Sequence, residues 1–154
     1  MPEHIEVRFR EATSADIDQL TRLRIRQLVD EGYPETSDIS ADLGQYFSES
    51  LENGSLLCWV GILDDVVVST AALCFYQLPS TFSNPSGRVA YVTNMYTDDA
   101  YRRRGFASHL LRKLIDEART LNYTSIRLHA SSHGKGIYRK FGFTDSQGYM
   151  DMRL

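Results

Sequence analysis

Arg102-Arg103-Arg104-Gly105-Phe106-Ala107-Ser108 is where the residue types and their spacing most clearly define a chemistry, that of binding an anion. An apolar stretch from Val89 to Tyr96 precedes it, and Ala107, Leu110, Leu111, Leu114, Ile115, Ala118 and Leu121 follow at helical spacing. Strand, basic glycine loop and helix therefore stand in series. The first N–H groups of a helix lack partners within it and lie at the positive end of its dipole, so a phosphate placed there receives several hydrogen bonds at once. Gly105 allows close approach, and the planar guanidinium forks of the three arginines suit phosphate oxygens. Two other glycine-loop devices are excluded. The G-x-G-x-x-G spacing of dinucleotide folds is absent, and so is a Gly-Lys-Ser or Gly-Lys-Thr triplet.

A second cluster stands downstream, Tyr138-Arg139-Lys140-Phe141-Gly142-Phe143. A neutral phenol can donate a proton to a group held beside it. On spacing alone, Tyr138 reads as packing a short helix on a sheet. Gly142 suits a helix end and Phe143 a core aromatic.

The elements that must position these groups follow from periodicity. Ile5 to Arg10 alternates as a strand, and Thr13 or Ser14 caps a helix carrying Ile17, Leu20, Leu23, Leu28 and Val29, which Gly32 and Pro34 stop. A second helix spans about Ser40 to Leu51. Leu56–Leu63 and Val66–Phe75 are strands joined at Asp64-Asp65, a hairpin signal, and 77–87 is a loop by composition. The strand 88–97, the basic loop, its helix, the strand 125–130, a short helix over 136–141 and strand pieces at 143–145 and 149–153 complete the order. Strands that follow one another without a helix pair antiparallel, whereas the strand–helix–strand unit over 88–130 makes a parallel pair. The expectation is a mixed α/β sheet.

The chain of 154 residues, 42% hydrophobic, suffices for one core and is read as a single domain over 1–154. Its net charge of −3 argues against a broad nucleic-acid surface, and no apolar run approaches a membrane span. The beginning Met1-Pro2-Glu3-His4 has no basic region followed by an apolar stretch, so the expected location is cytoplasmic. Cys58 and Cys74 lie in apolar runs with neither paired spacing nor a metal-ligand neighbourhood, so free thiols and no metal are expected.

Arg102-x-x-Gly105-x-Ala107 together with Tyr138-x-x-x-Gly142-Phe143 resembles the Gcn5-related N-acetyltransferase (GNAT) family, whose loop pattern is Gln/Arg-x-x-Gly-x-Gly/Ala. The likeness covers the whole expected element order, with residue matching concentrated between about Val92 and Phe143. It implies a mostly antiparallel sheet with a splayed parallel pair, helices on both faces, acetyl-CoA as cofactor, and transfer of acetyl to a primary amine. It implies that residues 102–108, that is Arg102, Arg103, Arg104, Gly105, Phe106, Ala107 and Ser108, hold the pyrophosphate. The backbone of Met95, Tyr96 and Thr97 would hold the pantetheine arm and polarise the thioester, and Tyr138 would be the acid. Ser131 and Gly134 stand where many members have asparagine and alanine. Ser131 and Lys135 are carried as cofactor contacts, with Lys135, Arg139 and Lys140 serving equally as a solvated basic face.

The acceptor pocket is expected from Tyr33, Glu35, Tyr76, Tyr91 and Asn94, together with 146–149. The strand before the loop carries no carboxylate, so a general base is unassigned. His129 is a candidate, set against a structural histidine. A small-molecule amine is the favoured acceptor. The alternatives are a protein N-terminus or lysine, or a silent CoA-binding module. An exposed terminal strand would offer an edge for a homodimer.

Overall fold

The computed structural model describes residues 6–146 and 148–154. Five strands form one sheet in the order β1 (Arg8–Glu11), β2 (Leu56–Leu63), β3 (Val66–Gln77), β4 (Arg88–Thr97), β5 (Ile126–Arg127). The first three pairings are antiparallel and β4–β5 is parallel. Four helices accompany them: α1 (Ile17–Asp30), α2 (Ser40–Asn53), α3 (Phe106–Thr120) and α4 (Lys135–Lys140).

Period-two side chains divide the sheet between two cores. Leu56, Cys58, Val60 and Ile62 of β2 meet Leu20 and Leu23 of α1 and Phe47 of α2 on one face. On the other, Ala71, Leu73, Ala90 and Val92 meet Leu110, Leu114 and Ala118 of α3. Helices thus cover both faces, α1 and α2 on one and α3 on the other. Asp64 and Asp65 make the tight hairpin turn with φ of 47° and 62°, the left-handed pair that matches strand twist. The 77–87 loop closes on itself where Leu78 N–H donates to Gly87 O at 2.8 Å. A Cβ at Gly87 would stand 2.0 Å from the Leu78 carbonyl oxygen, so glycine is required there.

The sequence expectation is corrected at the sheet's far edge. The strand expected over 125–130 pairs only at Ile126 and Arg127, and neither 143–145 nor 149–153 forms a strand. Alternation specifies a strand only where a neighbouring edge offers backbone groups. Here the terminal segment meets β5 through a side chain, Arg127 donating to the Tyr149 hydroxyl at 2.7 Å. At the other end, the first strand lies at Arg8–Glu11, and Ile5 of the expected stretch lies outside the described residues. Among the described residues no helix is long and apolar enough to cross a membrane.

Candidate active site

The parallel pair holds together only at Ala90↔Ile126 and Tyr91↔Arg127. Beyond Tyr91 the two segments diverge, which leaves that edge of β4 from Val92 to Thr97 without a strand neighbour and opens a cleft of about 1360 Å³ along it. On the opposite edge the register slips. Thr70 faces Tyr96 and Ala72 faces Thr93, so Ala71 faces both Asn94 and Met95 in a bulge. Asn94 supplies the left-handed residue, φ 54°, and Thr70 Oγ1 donates to its carbonyl at 2.7 Å. The bulge fixes the backbone where the cleft begins.

At its other end the cleft reaches the start of α3. Arg103 and Gly105 are both left-handed, φ 63° and 81°, which folds 102–105 into a concave turn. The first bond within α3 is His109 N–H to Gly105 O at 3.0 Å, so the N–H groups of Phe106, Ala107 and Ser108 have no partner in the helix. No side chain caps them, and a Cβ at Gly105 would meet nothing within 4 Å. That space can admit an anion.

Arg102 borders the cleft with its guanidinium engaged by neighbouring groups. Its Nε donates to Thr97 O at 3.0 Å, and its two terminal nitrogens meet Asp99 at 3.0 Å and Asp30 at 2.9 Å. Asp30 also accepts from the Tyr96 hydroxyl at 2.6 Å. The Tyr96 hydroxyl first, and Arg102 after it, hold the Asp30 carboxyl below the usual carboxylate range. The guanidinium thus clasps the loop to the end of α1 and to β4, and the anion position is left to backbone N–H groups. Arg103 lines the cleft, whereas Arg104 lies over the Tyr101 ring at 5.6 Å.

Tyr138 projects from α4 between this cleft and a second cavity of about 850 Å³, lining both along with Tyr91 and His129. It is 8% exposed and packs edge-on against Phe143. Burial, with the nearby charge of Glu31, pushes its phenol up to about 12, so it stays protonated at neutral pH. A Cβ at Gly134 would stand 2.9 Å from the Tyr138 ring, which gives a steric reason for glycine there.

Of the other residues singled out in the sequence, Tyr33, Asn94, Met95, Tyr96, Thr97, Gly105, Phe106, Ala107, Ser108 and Ser131 border the main cleft. Lys135 and Tyr76 border the second cavity, while Glu35 borders neither. Sequence reasoning missed Gln27 of α1, a buried residue whose amide donates to Glu31 Oε1 at 3.1 Å and Met95 O at 3.4 Å. Its only signal is a polar position repeating along the helix face with Arg24 and Glu31. No group of three or more His, Cys, Asp or Glu side chains among the described residues is arranged to hold a metal.

The acetyltransferase (GNAT) family model matches residues 18–143. A predicted acetyltransferase from Clostridium acetobutylicum, solved with acetyl-CoA, is 37% identical with a TM-score of 0.93, over 97% of each chain. A GCN5-related N-acetyltransferase from Ralstonia eutropha is 19% identical with a TM-score of 0.86, over 96% of this chain and 99% of that one. An aminoglycoside N-acetyltransferase in complex with CoA is 16% identical with a TM-score of 0.77, over 100% and 98%. The last two likenesses concern the fold alone. No curated protein matches the sequence significantly. The splayed β4–β5 pair, the glycine turn that opens α3 and the family match lead to one conclusion: the chain belongs to the acetyltransferase (GNAT) family.

Proposed function

We propose that this protein moves the acetyl group of acetyl-CoA to the primary amine of a small molecule by direct attack. The observation that carries the reading is the continuity of one surface. The bulge at Asn94–Met95, the unpaired edge of β4 and the unpartnered N–H groups that open α3 follow one another along a single cleft. Bound there, acetyl-CoA supplies an acyl carbon activated as a thioester. The N–H groups of Phe106, Ala107 and Ser108 receive the pyrophosphate, helped by the helix dipole and the fixed turn of 102–105. The edge of β4 pairs with the pantetheine amides as a neighbouring strand would. A backbone N–H at the bulge polarises the carbonyl, a donor worth on the order of a few kcal/mol of barrier in comparable sites.

Tyr138 supplies the proton that the departing sulfur needs. Its phenol is protonated at neutral pH, and it stands at the junction of the two cavities, next to the end of the cleft defined by Tyr91 and His129. Direct attack is favoured because neither thiol suits an acyl-enzyme route. Cys58 is buried with its thiol pushed up to about 12, and Cys74 accepts the Tyr46 hydroxyl on the α2 side of β3.

The test is thiol release from acetyl-CoA against a panel of polyamines, amino acids, aminoglycosides and short peptides, for native protein and Tyr138→Phe. Turnover with a small amine is expected, lowered roughly 10²-fold or more in the variant with CoA affinity by calorimetry unchanged. CoA binding without turnover on any small amine would reject the small-molecule reading. Unchanged turnover in Tyr138→Phe would reject the acid.

A further inference from the structure

One face of α1 and its C-terminal cap carries Arg24, Gln27 and Glu31, three and four residues apart, and all three border the cleft. Arg24 donates from Nη1 to Gln27 Oε1 at 3.1 Å, and Gln27 donates from Nε2 to Glu31 Oε1 at 3.1 Å. The amide orientation is dictated by its neighbours: a guanidinium has no acceptor and a carboxylate no donor. Gln27 is 7% exposed, so this central rung is fixed, and the same nitrogen reaches Met95 O at 3.4 Å. Glu31 is thereby tied to the backbone of the bulge through one shared donor.

The two ends of this ladder carry opposite charges that do not neutralise each other. Seven residues of helix separate their Cα atoms by about 10 Å, and the buried amide stands between the side chains. Among the described residues neither Arg24 nor Glu31 forms an ion pair. The other charged side chains of α1 that face this end of the molecule are engaged, Arg26 with Asp98 and Asp30 with Arg102. Asp151, which also borders the cleft, comes from the terminal segment and has no hydrogen bond to the bulge. The charge of Glu31 bears on Tyr138, and that of Arg24 on Tyr91 of β4 and Tyr46 of α2.

Resting on the acetyl-transfer reading above, we propose that this ladder selects a zwitterionic acceptor, a small amino acid whose ammonium is held by Glu31 and whose carboxylate is held by Arg24. Glu31 then sets the amine beside the Met95 backbone, and Arg24 rejects amines that carry no negative charge. A guanidinium and a carboxylate presented on one rigid helix read both ends of such a molecule, with Gln27 fixing their spacing. A diamine would meet Arg24 with a like charge, and a simple alkylamine would leave it without a partner.

The test compares acetyl transfer to β-alanine and to its carboxamide, with rates referred to the free-amine fraction, in native protein, Arg24→Gln and Glu31→Gln. The native protein should show a KM at least tenfold lower for the acid. Arg24→Gln should abolish that preference with kcat for the amide little changed, and Glu31→Gln should raise KM for both. Equal KM for acid and amide in the native protein, or a preference that survives Arg24→Gln, would overturn the proposal. Failure of the underlying reading looks different: acetyl-CoA would neither bind by calorimetry nor turn over with any amine. In that case saturation-transfer NMR of the same pair reads the ladder alone. Selective binding of β-alanine lost in Arg24→Gln supports it, and absence of selective binding overturns it.

Discussion

Burial disfavours a phenolate, so a buried phenol holds its proton more tightly, and Tyr138 is held that way by desolvation first and by the charge of Glu31 second. The folded-state value lies above the ordinary phenol near ~10, so the acid form persists through neutral and alkaline pH. If Tyr138 is the acid, kcat in a pH series should show no falling limb from its ionisation below about pH 11, and a limb near pH 8 that disappears in Tyr138→Phe would contradict its raised pKa. The residue itself was legible, because the Tyr138–Gly142–Phe143 spacing marks it. Its environment was not. That Gly134 is shaped to the Tyr138 ring depends on which way the ring turns, and spacing along a chain carries no such information. Arg102 makes the same point from the other side. Its type announced a phosphate ligand, yet its nitrogens are taken by Thr97, Asp99 and Asp30, the last 72 positions away in sequence.

At the scale of the element, the start of α3 is the piece whose local rules and use coincide. Gly105 needs its left-handed φ of 81° to bring the chain into the helix, and the space where a Cβ would stand is open in the protein. Gly105→Val therefore carries a backbone penalty of about 1–2 kcal/mol and fills the position assigned to the pyrophosphate. It should lower acetyl-CoA affinity at least tenfold by calorimetry, while the circular dichroism spectrum keeps its native shape. Retained affinity would remove the pyrophosphate from this turn. The helices, the hairpin at Asp64–Asp65 and the antiparallel order of β2, β3 and β4 were legible from periodicity and turn chemistry. The bulge at Asn94–Met95 was not, since nothing in a run of apolar and polar residues marks where two residues will face one. The terminal strands misled for a related reason: Tyr149 to Arg153 alternates as a strand would, but alternation does not supply an edge to pair with.

For the whole molecule, the sheet is joined to its helical layer at a point far from the cleft. Asp16 is 4% exposed, accepts from Arg10 through both oxygens at 2.7 and 2.9 Å, and accepts from Thr13 N–H at 2.8 Å at the entry to α1. The side-chain bond from Arg10 is the first cause of its lowered pKa. A carboxyl whose folded value is depressed contributes stability above its unfolded pKa, near ~3.9, and that contribution is lost as pH falls through the folded value. Arg10 is more than a third exposed, so the charge share is screened. Asp16→Ala should cost about 1–2 kcal/mol in urea unfolding at pH 7, and the difference from native protein should begin to shrink as pH falls below about 4 and go on shrinking toward the lower folded value. A constant difference across that range would remove the ionised carboxylate from the account.

The claim on which the molecule as a whole depends is that the cleft between β4 and β5 passes an acetyl group from thioester to amine. Its most direct test mixes the protein with acetyl-CoA and a small amine and counts both products in the same sample, free CoA thiol by a thiol reagent and acetylated amine by mass spectrometry. One acetylated amine for each thiol, with neither formed when protein is omitted, is the expected result. Thiol released without acetylated amine would make the protein a hydrolase of the thioester, and the absence of both would contradict the account of the cleft.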